Sequence, residues 1–418
     1  MFCDSMLACR DRTAIIRFSK TIVSFSAAIA HFLVSRPVLL RELAQAISAQ
    51  KNIIMAGDTC YVLGYQEVTD VLNRNDDFQL SQKVRSRFPT GEFILTQESS
   101  AEYHSNKEQL RQLFFDQDNI TTPIREYVEE RAAHILGSAA RDFDILAGYS
   151  EQIAAEVVCR FLIGPATRED LPDNFIQDLQ KLATLVITAE TTTERLLQKY
   201  NEPARNILQL VEARMGNNAN TNDIVARLLG SGLFTPELIK QTVAGMAVAG
   251  IGNIASAVAK AMDQLLLRPV QLASARAIAN NRSIPEPDKR RLLKQIIFEA
   301  LRFNPVFPML SRHCVRDTAL QASDGSVQRI PANASIIVGV LPAMFDSSEY
   351  ADPRRFQAER NVDRHLLFGM GMKRCFGEEI AEAQIIEMVY ALLKDNRVNR
   401  QGRFRYRGPY CASYRVRL

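Results

Sequence analysis

No CxxC pair and no cysteine–histidine cluster at zinc spacing occurs in the 418 residues. The seven cysteines (Cys3, Cys9, Cys60, Cys159, Cys314, Cys375, Cys411) are odd in number and widely scattered. A disulfide framework or a structural metal site is therefore not expected, and a reducing, cytoplasmic setting fits the thiols best. Charge of one sign is also scarce: 51 basic against 47 acidic residues leave a formal net +4, too little to argue for a polyanionic partner. There is no internal repeat, no low-complexity run and no Gly/Ser- or Pro-rich linker. With 47% hydrophobic and 23% charged residues, the chain is neither disordered, collagen-like nor a disulfide miniprotein. Near the N-terminus the apolar stretch TIVSFSAAIAHFLV, residues 21–34, falls short of the ~20 residues a spanning helix needs. Arg10, Arg12, Arg17 and Lys20 precede it, but Asp4, Asp11 and the lack of a small-x-small cleavage site argue against secretion. Residues 1–34 read as an extra helical segment packed on the surface, with peripheral membrane association through 10–34 as the other reading. No transmembrane helix is expected.

What is present is mostly helix. Helical patterning covers Pro37 to Gln50, Gln66 to Asn73, Asn106 to Phe115, Pro123 to Leu136, Ser150 to Leu162 and Thr193 to Met215. A short β-like segment, Asn52 to Gly64, intervenes. The longest helix is predicted from the cap signal Thr235-Pro236-Glu237 to Leu267, where Arg268-Pro269 stops it. About 32 residues at ~1.5 Å each make a rod of roughly 48 Å, the diameter of a domain. Its middle, AGMAVAGIGNIASAVA, is apolar or small on every face, as a helix buried through the centre requires. From Phe303 to Leu367, prolines 305, 308, 331, 342 and 353 exclude long helices, and ASIIVGV reads as a strand. A last helix follows Gly377, and the closing RFRYRGPYCASYRVRL alternates like a hairpin. The fold class is mainly α with a small β region, and residues 35–418 read as one catalytic domain.

The chemistry concentrates in Phe368-Gly369-Met370-Gly371-Met372-Lys373-Arg374-Cys375-Phe376-Gly377. Two glycines in a tight loop allow the backbone to pass close under a flat ligand. Cys375 stands at a helix N-terminus, beside Lys373 and Arg374, a setting expected to favour a thiolate able to ligate a metal. A buried structural cysteine in a glycine turn is the plainer alternative.

The pattern F-G-x-G-x-x-x-C-x-G resembles that of the cytochrome P-450 family of heme-thiolate enzymes, of the soluble bacterial type. Two further signatures follow the family's order. Glu299-Ala300-Leu301-Arg302 matches its E-x-x-R, with both charges on one helix face. Asp352-Pro353-Arg354-Arg355-Phe356 matches its P-x-R-F, whose arginine, Arg355 here, is expected to complete a buried Glu-Arg-Arg network. The resemblance implies the family fold with the long helix over a heme b, and Cys375 as iron ligand. It implies a cofactor cradle that includes Phe368, Gly369 and Gly371. It also implies propionate-binding cations at Lys107, Arg111, Arg312, His365 and Lys373. His104 and His313 read as ordinary histidines.

The departure lies on the long helix. The family's Ala/Gly-Gly-x-Asp/Glu-Thr aligns with Ala249-Gly250-Ile251-Gly252-Asn253, so Gly252 and Asn253 replace the acid–alcohol pair that delivers protons during oxygen activation. Gly252 offers no proton, and Asn253 hydrogen-bonds without titrating. Monooxygenation of a hydrophobic small molecule is the expected activity. A peroxide-dependent or fatty-acid-hydroperoxide-rearranging enzyme is the alternative, with Asn253 holding the peroxide. A non-catalytic heme sensor is a third reading. Ala249, Ile251, Asn253 and Val306 to Leu310 are the expected pocket wall. Lys373 and Arg374 suit an acidic ferredoxin- or flavodoxin-type electron donor. The seven arginines of 397–418 are expected on a solvated hairpin face, not on nucleic acid.

Overall fold

The computed structural model describes residues 36–48, 51–80, 85, 90–115, 120–164, 174, 175, 177–179, 181, 182, 197–216, 224–407 and 410–418. The readings for residues 1–34 lie outside them. The first elements are α1 (Pro37–Ser48), β1 (Ile53–Ala56), β2 (Thr59–Val62), α2 (Tyr65–Asn73), β3 (Phe78–Gln79), α3 (Ala101–Phe115) and α4 (Thr121–Ser138). Then come β4 (Asp142–Asp144) and α5 (Glu151–Val157), the latter wound wider at both ends over Leu146–Ser150 and Val158–Ile163. Helices α6 (Asn201–Gly216), α7 (Ile224–Ser231), α8 (Pro236–Leu266), α9 (Pro269–Asn280) and α10 (Glu286–Phe303) follow. The β-rich part holds β5 (Leu310–Cys314), β6 (Thr318–Gln321), β7 (Val327–Ile330), β8 (Ser335–Val338) and the single turn α11 (Val340–Ala343). The chain closes with α12 (Glu378–Lys394), β9 (Asn399–Arg400), β10 (Arg405–Arg407), β11 (Tyr410–Ser413) and β12 (Arg415–Arg417).

Helix α8 organises the larger core. Thr235 caps it by accepting from the Leu238 amide, Pro236 starts it, and its 31 residues span roughly 46 Å at ~1.5 Å each. Alanines and glycines let α5, α10 and α12 pack closely around it. It is long and apolar enough to cross a membrane, yet most of it is buried inside the protein. The smaller core lies under a five-stranded sheet of order β1-β2-β8-β5-β3, in which β2 and β8 run parallel and the other pairs antiparallel. Gly57, at φ +58°, makes the two-residue turn between β1 and β2.

The closing segment is more than a hairpin. β10 and β11 pair with each other, while β12 leaves them to pair with β4 and β9. On β12 the expected alternation holds, with Val416 buried between exposed Arg415 and Arg417.

The Glu299-x-x-Arg302 pair is fully buried on α10, with nitrogen–oxygen contacts of 2.7 and 2.8 Å. Arg302 also donates to the Met344 and Pro353 carbonyls at 2.8 and 2.9 Å, and Glu299 accepts from the Gln357 amide at 3.0 Å. The third cation is not Arg355. That side chain is exposed, because Phe356 must turn inward to stack on Phe303. Arg360 takes the place instead, 3.4 Å from Glu299.

Candidate functional site

The Cys375 loop is held by backbone geometry. Gly369 and Gly371 adopt φ +71° and +67°, and the Cys375 amide donates to the Phe368 carbonyl at 2.9 Å. A Cβ on Gly371 would lie 2.5 Å from the Leu72 carbonyl oxygen, so this glycine serves the close approach of α2. Gly369 is the one that faces the cavity. From α3, Lys107 reaches over the loop and donates to the carbonyls of Met372 (2.7 Å) and Arg374 (3.2 Å).

Beneath α8 lies a cavity of about 440 Å³. Cys375, Phe368, Gly369 and Phe376 line one side, and Ala249, Gly250, Asn253, Val306, Phe307 and Leu310 line another. Among the described cysteines, Cys60, Cys159, Cys314 and Cys411 are buried, whereas Cys375 opens onto this space. Its pKa is raised, against the expectation from a helix N-terminus. Burial deep in the protein dominates; the Gly377 amide, Lys107 and Arg374 oppose it, and Glu378 reinforces it.

Two cations face the cavity with no carboxylate partner among the described residues. Arg312 is buried on β5 and donates only to its neighbour's carbonyl, Ser311, at 2.8 Å, and burial lowers its pKa to about 10. Lys373 donates to the Gln97 carbonyl at 2.6 Å, and its nitrogen sits 3.4 Å from the centre of the Tyr103 ring. Burial, then Lys107 and Arg312, lowers its pKa to about 7. Buried cations without anions call for an incoming anion. A flat apolar group that carries two carboxylates and a thiolate-seeking iron fits this donor set.

The other expected cofactor residues lie elsewhere. Arg111 is half-exposed on the outer face of α3, 3.5 Å from Glu379. His365 is buried behind the cavity, 3.7 Å from Glu299 and against Tyr350. Burial and the nearby Arg302 and Arg360 push its pKa down to about 3, so it is neutral there. Lys107 clasps the cysteine loop without lining the cavity. Lys373 points inward and Arg374 is gripped by Glu378 through two 2.6 Å bonds, so neither is the free basic point expected for an acidic donor.

On α8, Asn253 lines the cavity and Gly252 does not; Ile251 is buried away from it, while Met246 and Ile254 face it. The Asn253 amide nitrogen donates to the Ala249 carbonyl at 2.5 Å, four residues back, and its Oδ1 is buried without a partner. No carboxylate lines the cavity among the described residues. Phe298, which flanks Phe368 at 5.8 Å, and Tyr103, under Lys373, had no motif to mark them.

A helical fold crossed by one long helix, with an accessible cysteine loop beneath it, defines the heme-thiolate class. The family model described as Cytochrome P450 matches residues 168–403, more than half of the sequence, and the chain belongs to that family. Among curated proteins it is similar to the mitochondrial cytochrome P450 11B2 of Mesocricetus auratus, 25% identical over 204 residues, 46% of this chain and 40% of that one. It is also similar to an isoflavone 3'-hydroxylase of Medicago truncatula, 26% identical over 245 residues, 54% of this chain and 46% of that one. The chain thus spans less than half the length of these relatives. Of solved structures, P450BioI bound to an acyl carrier protein superposes with TM-score 0.75 at 19% identity, covering 91% of this chain and 99% of that one. CYP109B1 from Bacillus subtilis gives 0.73 at 16%, covering 90% and 99%. These two likenesses concern the fold.

Proposed function

We propose that the protein is a heme-thiolate oxidoreductase that oxidises a hydrophobic small molecule, most simply by monooxygenation. The observation that carries this is the cavity itself: an accessible thiol, two cations with no carboxylate partner among the described residues, and a wall that is apolar apart from Asn253 and Gln384 share one space. Cys375 would ligate the iron, which holds the thiol deprotonated despite burial. Arg312 and Lys373 would hold the propionates, and Phe368 and Gly369 would pack against the macrocycle. When bound, the heme supplies oxygen activation, favoured by the thiolate ligand. The chain's own contribution is to orient an apolar substrate against Ala249, Val306, Phe307 and Leu310 and to exclude water from it.

A second reading rests on Asn253. With no carboxylate in the described lining and no titrating group at 252 or 253, the chain supplies no evident proton at this face. Hydrogen peroxide or a lipid hydroperoxide brings its O–O bond already reduced, and an amide suits holding it. An electron donor of ferredoxin or flavodoxin type serves the first reading, and none is needed for the second. A cytoplasmic setting follows the same proposal. The test is a product screen of heme-loaded protein with NADPH and redox partners against peroxide and fatty-acid hydroperoxides. Product only with peroxides selects the second reading; no product with either overturns both.

A further inference from the structure

Lys260 is only 1% exposed, in the second half of α8, where the helix leaves the cavity. A lysine rarely stands in such a place without a carboxylate partner. Its Nζ donates to the Pro305 carbonyl at 2.7 Å and lies 5.8 Å from the centre of the Tyr406 ring. Pro305 directly precedes Val306 and Phe307, which form the cavity wall. The same cluster ties that wall to the C-terminal strands. Asn304 Nδ2 donates to the Tyr406 hydroxyl at 2.9 Å, and the ring of Phe307 meets Tyr410 edge-on at 6.2 Å. Asn304 Oδ1 is buried with no hydrogen-bond partner.

We propose that Lys260 is a positioning residue for the cavity wall. From behind, its nitrogen holds the Pro305 carbonyl and so sets Val306 and Phe307 against the substrate space; proton uptake favours their release, because burial penalises the ammonium.

The geometry gives the reason. A neutral amine needs one acceptor for this role, and Pro305 supplies it. An ammonium presents three donors, to one carbonyl and one ring face. Orphan acceptors in the same region are Asn304 Oδ1, next to Pro305, and Asp263 Oδ1, on α8, and neither bonds Lys260 in this arrangement. The titratable groups around Lys260 offer no stable counter-charge. From the C-terminal strands come Tyr406, Tyr410 and Cys411, all pushed up by burial and neutral. Asp144 on β4 and Glu151 on α5 act on Cys411. On α8 itself, Asp263 lies 3.5 Å from Arg400 of β9. Burial lowers the Lys260 pKa to about 7, with Cys411 opposing, so the two protonation states exchange near neutrality.

Hydrogen exchange of the heme-loaded full chain reads this directly. Peptides covering residues 304–310 and 405–413 are followed from pH 8.5 to pH 5.5, with α12 peptides as reference and intrinsic exchange rates divided out. Protection of 304–310 should fall by up to about tenfold per pH unit as pH is lowered from 8.5 to about 7, because a released lysine titrates at its ordinary value and takes up the proton, and should level off below about pH 7, where the held nitrogen is protonated as well. In Lys260→Met it should not vary with pH; should that variant not fold, Lys260→Gln, a donor that takes up no proton, makes the same comparison. A flat wild-type profile overturns the proposal, as does an unchanged pH dependence in the variant. Neither outcome depends on the identity of the substrate or on turnover.

Discussion

The two sides of the cavity are built on opposite principles. On the cysteine side the charges are answered, except for Lys373, which faces the cavity. Glu299 is met by Arg302, Arg360 and the Gln357 amide, Arg374 by Glu378, and the loop carbonyls by Lys107. On the α8 side the wall is aliphatic and aromatic, and its one polar side chain at the turn over the cavity, Asn253, bonds within its own helix. A dense polar frame has few ways to rearrange, because each substitution strands a buried partner. An apolar wall can be repacked with modest losses. The frame therefore fixes where the Cys375 thiol sits, and the wall is free to vary with what lies against it.

The sharpest way to break this comparison is to remove the thiol. Cys375→Ala should abolish the red-shifted Soret band of the reduced carbon monoxide complex, since the other described cysteines are buried away from the cavity. The band persisting in that variant would end the heme-thiolate reading. Next in size is the frame itself. Glu299→Ala leaves Arg302 buried without its anion, at a cost of roughly 3–5 kcal/mol. Thermal unfolding should show a large drop, and an unchanged midpoint would mean that the pair is not a structural keystone.

Gly371→Ala probes the loop. Positive φ and a Cβ 2.5 Å from the Leu72 oxygen should together cost about 1–3 kcal/mol. Gly369→Ala has the same φ penalty with open space around it, so it should cost less. Equal losses in denaturant unfolding would show that the approach of α2 is not what requires glycine.

These contrasts also mark what a sequence can convey. The cysteine loop, the long helix and Glu299–Arg302 are local patterns, fixed by spacing along a few turns, and each stands where its spacing puts it. The propionate set mixes both cases. Arg312 and Lys373 belong to segments next to the cavity and face it, whereas Arg111 and His365 depend on which way a helix or a loop turns in three dimensions. For His365 the buried Glu299 site claims the ring; for Arg111 the outer face of α3 does. Lys260 had no signal at all, because a lone lysine in an apolar helix is ambiguous until the carbonyl that it meets, 45 residues away, is placed.

On the wall, Asn253→Thr tests the missing proton relay. An alcohol there should raise NADPH-coupled product formation on the order of tenfold, below the ~10²–10⁴ range of full general acid catalysis because Gly252 still supplies no acid. Peroxide-driven turnover should fall, as the amide is gone. Efficient coupling in the wild type, with no gain in the variant, would remove the peroxide reading and leave ordered water as the proton source.

The smallest effect is expected where motif and structure part. Arg360 lies over Glu299 and donates to the carbonyls of Ala351 (2.7 Å) and Asp352 (2.9 Å), so Arg360→Ala should lose about 1–3 kcal/mol through stranded acceptors. Arg355 occupies the motif position, yet its side chain is exposed and only its carbonyl turns inward, toward Arg302 at 3.5 Å. Arg355→Ala should stay within about 0.5 kcal/mol of wild type, as for any surface change that keeps the backbone. The two variants differ by five positions in the same loop and keep Phe356 stacked on Phe303. Equal unfolding midpoints, or a larger loss at Arg355, would return the third cation of the network to its motif position; the reverse order fixes it at Arg360.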